Sequence, residues 1–547
     1  MSTGTATAGT APSAVQRTPA YSWIVVSMLM FIYIFNFLDR QLMSTLQESI
    51  KGPVEKGGLN LTDSQLGLMT GLYFAIFYTG FGVVVGFLAD RTSRRNILFV
   101  GCALWSGFTS LCGMAQSYPV MLTARIGVGV GEAAGAPPSY SIVSDYFPAE
   151  KRGLALALFS MGVPLGQALG AAFGARIDAI WGWRTAFIGI GVAGIIAAFL
   201  LLLVVREPKR GASDVKLDTH MEEAPTQAVA KSGFFQTLSD FFGRPVMVWT
   251  ALGCGLTAFV GYAALNWNAS FLIRVKHMTR EDLSVWYAGM VAVAMGLGTI
   301  LSGPLVDWLV KRSRIWYALV PAIAVALSVP FWFGYVWAPD WPTALAFLAG
   351  PTFLTIMYLA PALAVVQNYV KPAQRTMAGA VLLMVLNIIG LGGGPTFVGM
   401  LSTMFSSSLE AGGVEKAAAG VQGLTQALYW VTPFYAVTVL FLAMEAMALK
   451  REEKAGGAVR DGGLRIGLVL ALVGFGGLYW RYTGAGIPDC FINFTTLGKF
   501  GTLDLVNQIN AVMDVVIGLF TTAFAVFGPV LAIRALVSKR APNAAAA

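Results

Sequence analysis

The sequence predicts an all-α integral membrane protein of two six-helix bundles followed by an appended two-helix hairpin, about fourteen spanning helices in total. Its 547 residues are 56% hydrophobic and only 12% charged, whereas a soluble chain of this length carries far more charge on its surface. Apolar runs of about 20 residues recur from Tyr21 to Val537, and each is long enough to cross a bilayer. Because lipid offers the backbone no hydrogen-bond partners, these runs must be helical.

A repeated signature supports the division into two halves. In the first half it reads Gly86-Phe-Leu-Ala-Asp90-Arg91-Thr-Ser-Arg94-Arg95. About 220 residues later it returns as Gly303-Pro-Leu-Val-Asp307-Trp-Leu-Val-Lys311-Arg312. Both copies stand where a long apolar helix ends in a short basic loop. This repetition indicates that an ancestral half was duplicated inside a membrane, an organisation typical of transporters.

The order of apolar and polar segments predicts six regions. These are a disordered N-terminus, a six-helix bundle, a linker, a second six-helix bundle, a second linker, and a helical hairpin with a tail. Their ranges are 1–20, 21–205, 206–244, 245–449, 450–463 and 464–547. Lys and Arg concentrate in alternate connections, which predicts that both termini are cytoplasmic. The net charge of +9 therefore reflects membrane topology, and we expect no nucleic-acid partner.

Further motifs accompany the repeated signature. They are Asn36-Phe-Leu-Asp39-Arg40, Arg125-Ile-Gly-Val-Gly-Val-Gly-Glu132, Asp145-Tyr-Phe-Pro, Trp181-Gly-Trp183-Arg184 and Arg206-Glu207-Pro208. Together these motifs resemble the major facilitator superfamily over about 21–449 and, within it, the spinster branch. The resemblance implies the major facilitator fold and alternating-access transport of an amphiphile such as a lysolipid or a sphingoid-like phosphate.

Two features depart from the related families. Phe37 stands where the spinster branch usually has Tyr, which removes a hydroxyl. The additional helix pair is appended at the end, whereas fourteen-helix drug exporters insert theirs between the halves. The second departure argues against a drug exporter.

Four ionisable residues are predicted to lie deep within helices 1 to 12: Asp39, Arg40, Arg125 and Glu132. Ionisable groups are costly in lipid and mark candidate functional sites. Arg125 and Glu132 are seven residues apart, hence on one face of helix 4. Only the carboxylates can exchange protons, because arginine stays charged. We predict Asp39 and Glu132 as proton-coupling residues and Arg40 and Arg125 as substrate-binding or gating residues. Alternatively, the four form ion pairs that merely hold helices 1 and 4 together.

Other residues complete the predicted cavity and gate. The further candidates for substrate binding or gating are Asn36, Tyr262, Asn266, Trp267, Tyr358 and Asn387. By resemblance, a cytoplasmic gate that closes when the cavity faces outward comprises Gly86, Asp90, Arg91, Arg94, Gly303 and Asp307. Glu445, near the end of helix 12, is expected at the membrane interface.

The residue inventory excludes several functions. It offers no cluster of metal ligands, no His-based nucleophile set and no GxxxxGKS/T phosphate loop. We therefore predict no enzyme, no metal or other cofactor, and no ATP-driven transport. We expect a monomeric, multi-pass, proton-coupled transporter of a bacterial inner membrane, surrounded by lipid, with an anionic or amphiphilic substrate. Two alternatives stay open: a proton symporter for a small carboxylate such as an acidic sugar, and a membrane sensor that does not transport.

Overall fold

The computed structural model describes residues 20–89, 91–209, 234–370 and 374–455, and each element within them is helical. Residues 1–19 and the predicted hairpin within 464–547 lie outside the described residues. The total of about fourteen spanning helices, the cytoplasmic position of both termini and the predicted domain boundaries therefore stay predictions.

Six helices form the first half, and we name them α1 to α6. They are α1 Ala20–Thr45, α2 Asp63–Ala89 with a break at Gly71, α3 Arg94–Met114, α4 Tyr118–Glu132 continued by Ala136–Tyr146, α5 Glu150–Trp181 and α6 Trp183–Val204. Two short helices, Gln47–Lys51 and Val54–Lys56, connect α1 to α2.

Six helices also form the second half. They are α7 Pro245–Arg274, α8 Arg280–Val310, α9 Trp316–Trp337, α10 Trp341–Tyr369, α11 Met377–Ala411 and α12 Lys416–Ala455. A short helix, Phe234–Phe242, lies inside the predicted linker 206–244. The α12 helix also runs past the predicted boundary at 449, because the Lys, Arg and Glu residues that follow are good helix formers.

Eleven of these twelve helices are long and apolar enough to cross a membrane, counting only the described residues. The exception is α4, which is divided by a turn at residues 133–135. Its two parts together occupy the place of the fourth predicted helix. The prediction of two groups of six helices is thus confirmed for the part of the chain that the structure describes.

Glycines along α5 let it approach α1 closely. A Cβ atom added to Gly166 would lie 2.5 Å from the carbonyl oxygen of Ile34, and one added to Gly170 would lie 2.6 Å from that of Leu38. Membrane helices use such small residues because close backbone packing replaces the hydrophobic drive that lipid removes. This contact fixes the position of α1, which carries Asp39 and Arg40.

The two halves meet where α2 is broken. The Leu72 backbone N–H donates to the Thr396 hydroxyl of α11 (3.0 Å), and this hydroxyl donates to the Gly67 carbonyl oxygen (3.1 Å). A Cβ atom at Gly71 would lie only 2.5 Å from that hydroxyl oxygen. Thr396 therefore fills the gap in the hydrogen bonding of α2, directly after an irregular stretch of α11, Asn387–Gly393.

Candidate functional site

The buried charges form two pairs between α1 and α4. In the first, Arg40 Nε donates to Glu132 Oε2 at 2.6 Å, and the Glu132 side chain is fully buried. The Arg40 guanidinium carbon also lies 4.5 Å from the ring centre of Tyr78 and 5.1 Å from those of Phe37 and Phe74. Both the carboxylate and the ring faces favour the positive charge of Arg40. This pair is close and well enclosed.

The second pair is looser. Asp39 Oδ2 lies 2.5 Å from the Thr109 hydroxyl of α3, whereas Asp39 Oδ1 is 3.5 Å from the nearest Arg125 nitrogen. Both side chains are about as buried as those of the first pair. Arg125 Nε has no hydrogen-bond partner among the described residues. The Arg125 guanidinium is thus a buried cation with unused hydrogen-bonding capacity.

The Thr109 hydroxyl restricts where a proton can lie. Its oxygen is also 2.8 Å from the Trp105 carbonyl oxygen, yet a hydroxyl has one proton to donate. If Thr109 donates to Trp105, the short contact with Asp39 requires a protonated carboxyl that donates to Thr109. If it donates to Asp39, the carboxyl can be charged. The geometry accommodates either protonation state of Asp39.

A small cavity lies beside these pairs, between the two halves. Its volume of about 30 Å³ admits one or two water molecules and no organic molecule. The lining residues are Arg40, Gln41, Ser44, Thr70, Phe74, Arg125, Gln167, Tyr262, Leu265, Asn266, Leu391 and Pro395. Most of these side chains are polar, and two are cationic.

The predicted cavity residues divide into two groups. Arg40, Arg125, Tyr262 and Asn266 line the cavity. The others lie outside this lining: Trp267 donates to the Pro395 carbonyl oxygen (3.0 Å) between α7 and α11, Asn36 is buried against Gly135 of α4, and Tyr358 and Asn387 are half-buried.

The predicted gate residues that the structure describes differ in their surroundings. Asp90 lies outside the described residues. A Cβ atom added to Gly86 or Gly303 would meet no atom within 4 Å, and Asp307 is exposed. The Arg91 guanidinium, just after the end of α2, packs on the Phe87 ring in the last turn of that helix.

Arg94, in contrast, is buried within the first half. Its guanidinium donates to Asp145 and Ser141 of α4, and to Glu207 and the Pro208 carbonyl oxygen after α6. Partial burial raises the pKa of Glu207, but hydrogen bonds from the Arg95 backbone N–H, the Arg94 guanidinium and the Ser93 hydroxyl outweigh this, so the pKa is lowered. This arrangement ties three helix ends together.

We expect Arg94→Ala to lower the free energy of unfolding by about 3 kcal/mol, because it leaves Asp145 without this buried cation. Thermal unfolding in detergent measures the loss, with Arg95→Ala, whose side chain contacts only the adjacent Asn96 among its described hydrogen bonds, as the control. Since the pKa of Glu207 is lowered on folding, its stabilising effect is present above the unfolded-state pKa and is lost as the pH falls. Equal stability of the Arg94→Ala and Arg95→Ala variants would contradict this stabilising role of Arg94.

A charged network that the sequence analysis did not identify joins the halves at the opposite end from Arg94, which we call the far end. Arg274, in the last turn of α7, bonds Glu48 at 2.6 Å and Asp63 at 2.7 Å. Asp63 also accepts from Lys51 (2.7 Å) and Ser402 (2.6 Å). An Arg within the last turn of an apolar helix was the only sequence signal for this network.

Further contacts extend the closure of the far end. Arg280 of α8 donates to Asp178 of α5 at 2.6 Å and to Ser49 at 2.9 Å. Asn266 and Ser270 of α7 bond Ser44 and Gln47 (3.0 Å each). These bonds link first-half residues to second-half residues, so they must break before the far end can open.

Two six-helix halves around a charged central cavity define a membrane transporter, not an enzyme. The chain matches the family described as the Major Facilitator Superfamily over residues 29–395 and belongs to it. It is 29% identical over 419 residues to a protein of Mycolicibacterium smegmatis called an MFS-type efflux pump, covering 76% of this chain and 93% of that protein. It is 27% identical to the human protein spinster homolog 1, covering 70% and 74% of the two chains.

Solved structures give the same assignment. The chain is similar to a bacterial homolog of the human lysosomal transporter spinster in an inward-facing and unoccupied conformation, with a TM-score of 0.70 and 28% identity. That match covers 80% of this chain and 99% of the homolog. The occupied, inward-facing form of a bacterial homolog matches with a TM-score of 0.67. The prediction of a spinster-like major facilitator protein is confirmed.

Proposed function

We propose that this protein is a proton-coupled secondary active transporter of an organic anion, in which Asp39 carries the coupled proton. The observation that carries the proposal is the loose Asp39–Arg125 pair, 3.5 Å apart, beside a cavity. A buried carboxyl with a Thr109 hydroxyl at 2.5 Å and a guanidinium nitrogen at 3.5 Å can exist with or without its proton.

Coupling follows from competition for Arg125. When the guanidinium turns to Asp39, it stabilises the carboxylate and favours release of the proton. When a substrate anion binds Arg125, Asp39 loses its cation and takes up a proton. Glu132 is the second candidate proton site, but its bond to Arg40 at 2.6 Å must first be broken. One shared cation thus links the substrate to the proton.

The closed far end supports an inward-facing assignment for the described conformation. Basic residues at the other end favour the cytoplasmic side for that end. Similarity to bacterial proteins supports a location in the inner membrane of a bacterium, where we expect a monomer surrounded by lipid. Transport then requires the far-end network to break while the opposite end closes.

The substrate class follows from the sequence motifs and from the cavity. The resemblance of the sequence motifs to the spinster branch implies an amphiphile with an anionic headgroup, such as a lysolipid. The polar cavity lining with two arginines favours a second candidate, a small carboxylate that fits entirely inside the cavity once it has widened. In both cases Arg125 binds the negative group, and the cavity must widen beyond 30 Å³ to admit it.

Flux measurements in proteoliposomes test the proposal. An imposed pH gradient should drive accumulation of a labelled substrate, with a lysophospholipid and a small sugar acid as the two probes. Arg125→Gln should abolish the flux of the preferred probe, because amide nitrogens do not replace a cation. Wild-type flux that is independent of the pH gradient would refute coupling, and normal flux in Arg125→Gln would refute the anion site.

A further inference from the structure

Glu445 is buried in the second half, although its position near a helix end predicts an interfacial residue. It is 1% exposed, and the residues one turn away on α12 are apolar: Phe441, Leu442, Ala448 and Leu449. It lies outside the cavity lining and in the other half from Asp39 and Glu132. The proposed transport cycle therefore makes no use of it.

The partners of Glu445 are few. Thr250 of α7 places its hydroxyl 2.6 Å from Glu445 Oε1, and Cys254 lies one turn further along the same helix. The helix α9, which also packs on α12, has no Asp, Glu, Lys, Arg or His, and its titratable side chains are Tyr317 and Tyr335. Glu445 Oε2 has no hydrogen-bond partner within the described residues.

The hydrogen bonds around Thr250 are compatible with a proton on the Glu445 carboxyl. The Thr250 oxygen lies 2.8 Å from the Val246 carbonyl oxygen, which can only accept a hydrogen bond. If Thr250 donates its single proton to Val246, it accepts a hydrogen bond from a protonated Glu445; if it donates to Glu445, the carboxyl can be charged. Thr109 faces the same choice beside Asp39, but there Arg125 can compensate a negative charge. Glu445 has no ion pair in the described part of the chain, and an uncompensated buried carboxylate is strongly disfavoured, so burial selects the protonated carboxyl.

We propose that Glu445 is a proton-binding site outside the transport cavity, which keeps its proton at neutral pH and donates a hydrogen bond to Thr250. The bound proton makes Glu445 a neutral hydrogen-bond donor that holds α12 against α7. Unlike the proton on Asp39, it stays in place while the substrate is carried. The proton on Glu445 thus stabilises the packing of the second half and is not coupled to transport of the substrate.

Infrared spectroscopy of the full-length protein in lipid nanodiscs tests the proposal directly. At neutral pH the wild type should show the carbonyl-stretch band of a protonated carboxylic acid, and Glu445→Gln should lack one such band. Glu453→Gln, the same change at an exposed position on the same helix, should retain it. Thr250→Val should shift the band, because it removes the acceptor.

Thermal unfolding gives an independent readout. A carboxyl that is protonated when folded and ionised when unfolded loses stabilising effect as the pH rises, because the folded state binds more protons. As the pH rises from about 5 to about 8, the melting temperature of the wild type should fall more than that of Glu445→Gln. Gradient-driven transport should stay normal in the variant. An unchanged carboxylic-acid band in Glu445→Gln, or equal pH slopes for the two proteins, would overturn the proposal.

Discussion

Replacing Asp39 by Asn is expected to uncouple accumulation from the proton gradient while exchange of substrate across the membrane continues. Asn fits the same space beside Thr109 but binds no proton at neutral pH and offers Arg125 no charge. A pH gradient of one unit is worth about 1.4 kcal/mol and supports about a tenfold concentration ratio per coupled proton. The variant should reach a ratio of about one, measured by uptake of the labelled substrate into proteoliposomes.

Two further variants separate the role of Asp39 from simple packing. Thr109→Val keeps the carboxyl and removes its hydroxyl partner, so it should still accumulate substrate, with a shifted pH dependence. Glu132→Gln tests the second candidate, whose loss leaves Arg40 without its carboxylate. Tenfold accumulation by both Asp39→Asn and Glu132→Gln would show that neither carboxyl carries the coupled proton.

Replacing Arg274 by Ala is expected to open the far end. The change leaves Glu48 and Asp63 without the cation that links them to the second half, and the Arg274 side chain is only 10% exposed. Removing one partner of such a buried pair costs about 3 kcal/mol, which shifts the population toward the open far end by about 100-fold. Labelling of Ser270→Cys by a membrane-impermeant thiol reagent, in a background without the native cysteines, reports this opening.

Arg280→Ala is the matched control for the Arg274 prediction. It also removes a bond between the halves, but the Arg280 side chain is 41% exposed. Exposed ion pairs contribute at most about 1 kcal/mol, so labelling should rise by less than about tenfold. If the Arg274 variant is labelled no faster than the wild type, the network does not close the far end.

The helical architecture could be predicted because each spanning helix is encoded locally. A run of apolar residues long enough to cross lipid has to be helical, whatever its neighbours are. That these two acids and two arginines come together between α1 and α4 was also within reach, since few charges lie deep in these helices. Which pair is tight and which is loose depends on Thr109 and on the rings around Arg40, which no spacing rule reveals.

The far-end network and Glu445 were missed for a different reason. Both lie near helix ends, where charged residues normally face water or headgroups and cost little. Burial of Asp63 depends on Arg274 and Ser402, which are distant in sequence and belong to the other half. Burial of Glu445 depends on how α7 and α9 cover α12. Such long-range packing leaves no mark in composition or periodicity.

The break at Gly71 divides α2 into two parts of unequal length. The part of α2 toward the far end has 8 residues and the part toward the Gly86 signature has 18, which correspond to about 12 Å and 27 Å of helix. If α2 rotates about its contact with Thr396, the end of the longer part moves more than twice as far as the end of the shorter part. A small opening of the far end would then be accompanied by a larger displacement at the opposite end of α2.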